Sequence, residues 1–366
     1  MRCSCFGSRE STTARDYHDE DLLRDINHFS YNELRSATNN FGSTNKIGRG
    51  GFGTVYKGTL KKGRQVAVKT LSAQSKQGMR EFLNEINTLS QVRHPNLVEL
   101  KGCCALGANR ILVYEYVENS SLDRALLGSQ NADRMILDWR KRSAICLGIA
   151  KGLAFLHEEL VPHIVHRDIK ASNILLDKDY IPKIGDFGLA KLFPDNITHI
   201  STRVAGTTGY LAPEYAMGGP LTMKADVYSF GILILEIVSG RSSGKPWGVS
   251  QKLLLEWAWE LYEGGNLLEL VDLQLGEFPE EEVIKHAKIA LFCTQEVGSR
   301  RPLMSQVVEM LTKNIRLNEK LLSAPGFFQD LPGLSGGPSL TKKPSDDSSS
   351  HQMSSVPVTI TEVAPR

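Results

Sequence analysis

No apolar run in this 366-residue chain approaches the ~20 residues needed to span a bilayer. The strongest, Phe230 to Val238, is interrupted by Glu236. An excess of either charge is also missing. Against 43 Lys and Arg stand 41 Asp and Glu, a net charge of +2. No basic stripe offers a footprint for nucleic acid, so none is expected as a partner. A short basic run such as Arg140-Lys141-Arg142 reads as a solvated helix face. The six cysteines make no disulfide framework: Cys103 and Cys104 are adjacent, and Cys146 and Cys293 stand singly in apolar helical patterns. None has zinc-ligand spacing to a second pair. The first residues carry no apolar leader segment, so no secretory signal is expected. These absences point to a cytoplasmic protein with reduced thiols.

The composition divides the chain into three. Residues 1–40 are polar and charged, with an acidic cluster at Asp19-Glu20-Asp21, and are expected to form an extension. Residues 323–366 are rich in Ser, Pro and Gly with little apolar periodicity, and are expected to be disordered. Residues 41–322 form the globular stretch. Its first part reads as strands: Ile47 to Gly58 alternates around glycines, and Gln65 to Lys69 is a β-type run. A helix carrying Met79, Phe82, Ile86 and Leu89 follows, then two more strand-like runs, Asn96 to Gly102 and Arg110 to Val117. After Ser120 helices dominate. Asp138 is placed to N-cap one, Val227 to Val238 is apolar nearly all round and stops at Gly240, and Pro279 opens another. The expected fold is therefore α+β: a small β-rich lobe with one helix, then a larger and mainly helical lobe. A cleft between such lobes is the expected site.

Gly48-x-Gly50-x-x-Gly53-x-Val55 is a glycine-rich loop. Glycines let backbone N–H groups approach phosphate oxygens without a Cβ in the way. A dinucleotide-binding loop would open a helix, yet Thr54 to Gly58 reads as a second strand. Gly244-Lys245 also fails as an NTPase phosphate loop, because Ser239 replaces the first glycine and Pro246 replaces the Ser or Thr. Sixteen residues after Gly53, Lys69 sits inside the apolar run Val66-Ala67-Val68. A lysine there needs an anion to meet. Sixteen residues further on, Glu85 falls on the helix side that carries Phe82, Ile86 and Leu89. The two read as an ion pair that holds the ammonium on phosphates.

The second half carries His166-Arg167-Asp168-Ile169-Lys170-x-x-Asn173, then Asp186-Phe187-Gly188, then Ala212-Pro213-Glu214. In order and spacing, the chain from about Phe41 to Leu322 resembles a eukaryotic protein kinase. Tyr31-Asn32-Glu33-Leu34, Ala37 to Phe41 and Gly206-Thr207-Thr208-Gly209-Tyr210 resemble the plant receptor-like kinases and their Pelle/interleukin-receptor-associated relatives. With no ectodomain or membrane helix in view, the chain looks like a receptor-like cytoplasmic kinase.

That resemblance implies a bilobal kinase fold with an N-lobe at 41–114, a hinge at 115–119 and a C-lobe at 120–322. It implies transfer of the ATP γ-phosphate to Ser or Thr hydroxyls, with Mg²⁺ held by Asn173 and Asp186. Asp168 would accept the substrate proton. Lys170 would reach the γ-phosphate, with Thr207 in the substrate-facing loop, and Lys69 with Glu85 would hold the other phosphates. Nucleotide would lie against Ile47, Gly48, Arg49, Gly50, Gly51, Phe52, Gly53, Thr54 and Val55. Val55, Ala67 and Leu175 would sandwich the base. Tyr114 would be the gatekeeper, and Glu115, Tyr116 and Val117 would meet the adenine edge. Ser121 falls where a ribose contact is expected, with Asp123 as its rival. Leu89, Leu100, His166 and Phe187 would stack as a column, Glu214 would pair with Arg301, and Asp226 would hold the catalytic loop. A pseudokinase normally lacks the equivalent of Lys69, Asp168 or Asp186, and all three are here. Tyr210 leaves dual specificity open.

The implied partners are protein substrates and an upstream receptor-like kinase. Arg167 beside Asp168 would need an anion, which phosphorylation at Thr198, Ser201 or Thr202 would supply. Arg2 excludes N-myristoylation, whereas Cys3 and Cys5 are candidates for palmitoylation and peripheral contact with the inner face of the plasma membrane.

Overall fold

The computed structural model describes residues 26–50, 53–71, 76–107, 109–127, 137–194, 197–245, 252–327 and 359–361. Gly51, Phe52, Cys3 and Cys5 lie outside them. Backbone contacts divide the chain into two units, one of residues up to Arg93 with Glu99–Tyr116, the other of His94–Val98 with all that follows Tyr116.

The first unit is built on an antiparallel sheet of five strands: β1 (Lys46–Gly50), β2 (Gly53–Thr59), β3 (Gln65–Leu71), β4 (Leu100–Leu106) and β5 (Asn109–Glu115), in the order β1-β2-β3-β5-β4. Two helices join it, α1 (Tyr31–Ala37) before the sheet and α2 (Lys76–Leu89) between β3 and β4. The period-2 alternation of β3 decides its two faces. Val66 and Val68 are buried on one side, with Ile111 and Val113 of β5 and Cys104 of β4. The other side carries Ala67 and Lys69.

What covers the valine side corrects the expected extension. Residues 26–40 belong to this unit: Phe29 and Leu34 are part of the same core, and Tyr31, Ala37 and Phe41 pack against it. Ser30 caps α1 through the Glu33 N–H at 3.1 Å. The Phe29 N–H donates to the Cys103 carbonyl, and the Cys103 N–H donates to that of Asn27, both at 2.9 Å, which ties this segment to β4.

The second unit is mainly helical: α3 (Leu122–Leu127), α4 (Trp139–Ala154), α5 (Pro213–Ala216), α6 (Lys224–Ser239), α7 (Leu254–Glu263), α8 (Glu280–Cys293) and α9 (Met304–Thr312). Asp138 caps α4 as expected, accepting from the Lys141 N–H at 2.9 Å. From Ala225 to Ser239, every residue of α6 is buried, as its all-round apolarity required. Short strand pairs hold the loops: β6 (His163–Val165) with β9 (Lys191–Phe193), and β7 (Ile174–Leu176) with β8 (Pro182–Ile184). A third pair joins β10 (Ala205–Thr207) to β11 (Thr359–Thr361).

Two expectations change here. Arg142 is not solvated. Its guanidinium is buried, bonded to Asp272 at 2.6 Å and to the carbonyls of Ile237 and Leu137 at 2.8 and 3.0 Å, so it is an internal cation that joins α4 to the end of α6. Nor is all of 323–366 unstructured. The Glu296 N–H donates to the Ala324 carbonyl and the Tyr228 hydroxyl to that of Gly326, which seats 323–327 on the helices, and Thr359–Thr361 forms β11. Cys103, Cys104, Cys146 and Cys293 are free, buried thiols. Burial pushes Cys103, Cys146 and Cys293 up to about 12, so they stay protonated and inert.

Candidate active site

In the first unit, the glycine-rich run forms the β1–β2 hairpin, with Gly50 opposite Gly53. It joins two strands and opens no helix, as its sequence context required. Gly53 must be glycine for a packing reason: a Cβ there would lie 2.0 Å from the Thr70 carbonyl oxygen of β3. The register then places the other residues. Val55 is opposite Lys69, and Ala67 is opposite Tyr114, so these four share the sheet face away from the valine core.

On that face Lys69 Nζ meets Glu85 Oε1 of α2 at 2.7 Å, and the Glu85 side chain is fully buried. The Tyr114 hydroxyl donates to Glu85 Oε2. The predicted Lys–Glu pair is present, and the gatekeeper tyrosine completes it as a third member. The resemblance named Tyr114 as the gatekeeper, and here its hydroxyl makes a hydrogen bond to Glu85. Further along β5, the Glu115 N–H donates to the Glu99 carbonyl at 3.0 Å, so that N–H is not an adenine donor. Ile47 is exposed at the entry to the hairpin.

In the second unit the catalytic loop lies between β6 and β7, held from below by one buried carboxylate. Asp226 of α6 accepts from the His166 N–H at 2.7 Å and the Arg167 N–H at 2.8 Å, and contacts His157 Nε2 at 2.9 Å. Burial alone would raise its pKa, but the hydrogen bond and charge of His157, with His166, outweigh it and hold Asp226 below the usual carboxylate range. His157 was not anticipated. Its one sequence signal is that it follows Leu156, two residues beyond α4, in the apolar spacing of Ile145, Ile149 and Leu153. The His166 ring contacts the Gly185 carbonyl at 3.0 Å and packs edge-on against Phe187, centroids 4.7 Å apart.

Both oxygens of Asp168 are positioned. Thr207 Oγ1 donates to Oδ1 at 2.6 Å, while Lys170 Nζ and Asn173 Nδ2 approach Oδ2 at 2.8 and 3.0 Å. Lys170 Nζ also donates to Thr207 Oγ1 at 2.7 Å, closing a ring of three side chains. The Asn173 amide donates to the Asp168 carbonyl at 2.8 Å, and the Asn173 carbonyl accepts from the Gly185 N–H at 2.8 Å. That contact ties the loop to the segment bearing Asp186. Arg167 and Asp186 have φ of +71° and +61°. Left-handed conformations at non-glycine residues are costly and concentrate where function requires them. Asp186 is exposed. With the Asn173 Nδ2 spent on Asp168, the amide oxygen of Asn173 and the Asp186 carboxylate offer hard donors of the kind Mg²⁺ takes.

Residues 41–311 match the protein tyrosine and serine/threonine kinase family. The chain belongs to the protein kinase family. It is 56% identical over 318 residues to cold-responsive protein kinase 1 of Arabidopsis thaliana, covering 86% of this chain and 82% of that one. It is 55% identical over 303 residues to the probable LRR receptor-like serine/threonine-protein kinase At1g56140 of the same plant. The similarity to probable LRR receptor-like serine/threonine-protein kinase At1g07650 is 56% over 301 residues. The match covers 82% of this chain in each case, but only 29% and 30% of the two receptors. The kinase is thus an ATP-dependent serine/threonine protein kinase of the plant receptor-like group, and its substrates are proteins.

Within the kinase, several expected side chains take particular places. Arg301 holds Glu214 through two hydrogen bonds, at 2.6 and 2.8 Å. Arg167 already has partners: the Tyr215 hydroxyl, at 3.1 Å from Nε, and the Leu189 and Arg203 carbonyls at 3.1 and 2.7 Å. These partners are neutral dipoles, not the anion that its charge was expected to await. Tyr210 donates to the buried Glu236 at 2.6 Å, so its hydroxyl is engaged within the second unit. Ser121 is half-buried and bridges to Leu175. Asp123 Oδ1 is buried without a hydrogen-bond partner. Among the described residues no helix is long and apolar enough to cross a membrane.

Proposed function

We propose that this kinase transfers the γ-phosphate through the Asp168 carboxylate, acting with Thr207 and Lys170 as one unit. The observation that carries the reading is the closed ring of short contacts around Asp168. A carboxylate fixed at both oxygens can orient an incoming Ser or Thr hydroxyl and take its proton without reorganising. Lys170 supplies a cation beside that oxygen, where negative charge develops on the transferring group. Lys69, steadied by Glu85 and Tyr114, binds the remaining phosphates. Asn173 and Asp186 would hold Mg²⁺, which would supply positive charge to offset that of the phosphates. Val55 and Ala67 share the sheet face of Lys69 and are proposed to meet the base, and Leu175 of β7 is proposed for the same role. Of the two ribose candidates, Asp123 is preferred to Ser121, because its orphaned oxygen awaits a donor such as a sugar hydroxyl.

The similarity to receptor-like kinases supports a place in cytoplasmic signalling below a receptor kinase. Contact with the membrane would depend on acylation of Cys3 and Cys5, outside the described residues. Thr198, Ser201 and Thr202 remain the proposed phosphorylation sites. Ser201 is exposed and Thr202 half-buried, and docking on Arg167 would have to displace its present partners.

The test is nucleotide binding read by a fluorescent ATP analogue during Mg²⁺ titration. Asp186→Ala and Asn173→Ala should each weaken magnesium-dependent binding by about tenfold or more, while magnesium-free binding changes little. Equal magnesium dependence in both variants and the parent protein would remove these two residues as ligands.

A further inference from the structure

Strand β10 has one end in the catalytic constellation. Thr207 closes it through the 2.6 Å hydrogen bond to Asp168, and Gly206 (φ +143°) lies so close to the loop that a Cβ would sit 2.8 Å from the Arg167 carbonyl oxygen. Among the described residues, the strand that pairs with β10 comes from the far end of the same chain. β11 runs parallel to it, with Thr359 opposite Ala205, Ile360 opposite Gly206 and Thr361 opposite Thr207.

The sequence of the tail agrees with this pairing. Val358-Thr359-Ile360-Thr361 is an unbroken run of β-branched residues in a stretch otherwise rich in Ser, Pro and Gly. Such residues favour an extended, pleated backbone. The chain is also long enough. Thirty-one residues separate Phe327, seated on the helices, from Thr359, and a chain of that length can extend up to about 100 Å. Main-chain pairing of a short extended segment along an exposed strand is a general mode of peptide recognition.

We propose that the carboxyl-terminal segment around Ile360 is an internal occupant of the substrate-side strip, competing with protein substrates for β10. The proposal rests on the reading of Thr207 and its strand as that strip. Tethering makes the competition intramolecular, so a substrate must displace a segment whose effective concentration is of order millimolar. A tail that occupies β10 for 80–90% of the time leaves about 10–20% of molecules competent to take substrate. The apparent KM for protein then rises about five- to tenfold. The KM for ATP is unaffected, and kcat at saturating substrate changes little, because the tail leaves when the substrate binds.

The experiment compares the full chain, a chain ending at Val358 and the full chain carrying Ile360→Pro. Proline at the centre of β11 fixes φ and has no main-chain N–H, which a strand disfavours. Casein phosphorylation is measured at saturating ATP. Both altered chains should show a KM for casein about five- to tenfold lower than the full chain, with kcat within about twofold. A synthetic peptide of residues 356–366 should inhibit the shortened chain competitively against casein and not against ATP. In parallel, hydrogen exchange at the 205–207 amides, which needs no substrate, should be faster in both altered chains. Equal exchange in all three chains overturns the docking. Faster exchange with an unchanged KM for casein overturns the competition, as does a peptide that competes with ATP. Failure of the substrate-strip reading itself would appear elsewhere, as an unaltered kcat on removal of the Thr207 hydroxyl.

Discussion

Replacing Thr207 with valine removes one hydroxyl and leaves the size and β-branching of the strand residue unchanged. That hydroxyl donates to Asp168 Oδ1 at 2.6 Å and accepts from Lys170 Nζ at 2.7 Å, and the residue is buried. Hydrogen bonds to charged groups contribute about 1.5–3 kcal/mol each, so two of them set an upper range of about 3–6 kcal/mol. The direct contact between Lys170 and Asp168 at 2.8 Å survives the change and recovers part of that. The lower end, about 3 kcal/mol, is therefore the expected loss, which corresponds to about a hundredfold in rate. Because the ring positions the reacting carboxylate and not the nucleotide, the loss should fall on kcat, with the KM for ATP within about twofold. Thr207→Ser restores the hydroxyl and should return kcat to within about threefold of the parent. Steady-state kinetics at varied ATP measure both. Activity of Thr207→Val equal to that of the parent, or a serine variant as impaired as the valine one, would refute the positioning argument.

Leu34→Ala tests whether residues 26–40 belong to the folded unit. Leu34 is fully buried beneath β3 and β5, so truncation should lower unfolding stability by about 2–5 kcal/mol, read by chemical denaturation; a change under 0.5 kcal/mol would return α1 to a detached extension. Glu236 gives a pH signature. Burial pushes its carboxyl up to about 7 from 4.5. The folded state therefore binds this proton more tightly than the unfolded chain, so the contribution is complete below about pH 4.5 and is lost as pH rises through 7. Calorimetry should show Glu236→Gln gaining in melting temperature over the parent between pH 5 and 7.5; a gap that narrows over that range contradicts the assignment.

The strands of the sheet and the apolar helix α6 were legible because their signals are local. Alternation in Gln65 to Leu71 and all-round apolarity in α6 need no knowledge of distant residues. The ring around Asp168 was legible as residues, through motif order, but not as geometry: nothing in the sequence says that Lys170 bonds Thr207, or that Tyr114 shares Glu85 with Lys69. Arg142 was misread because its partner Asp272 lies 130 positions away, and a basic triplet on a helix looks solvated until that contact forms. Residues 26–40 looked like an extension for a similar reason. Phe29 and Leu34 are sparse among polar neighbours, and their burial depends on a sheet that the chain has yet to build. The tail composition hid β11 because four β-branched residues weigh little against the Ser, Pro and Gly around them.

The central claim is that Asp168 carries phosphoryl transfer to serine or threonine. It is tested most directly by incubating the full chain and Asp168→Asn with ATP and Mg²⁺, then measuring incorporated phosphate by intact mass and identifying the modified residues. The account predicts phosphoserine and phosphothreonine in the parent protein and at least a thousandfold less in the variant. Equal incorporation in the two proteins would contradict it.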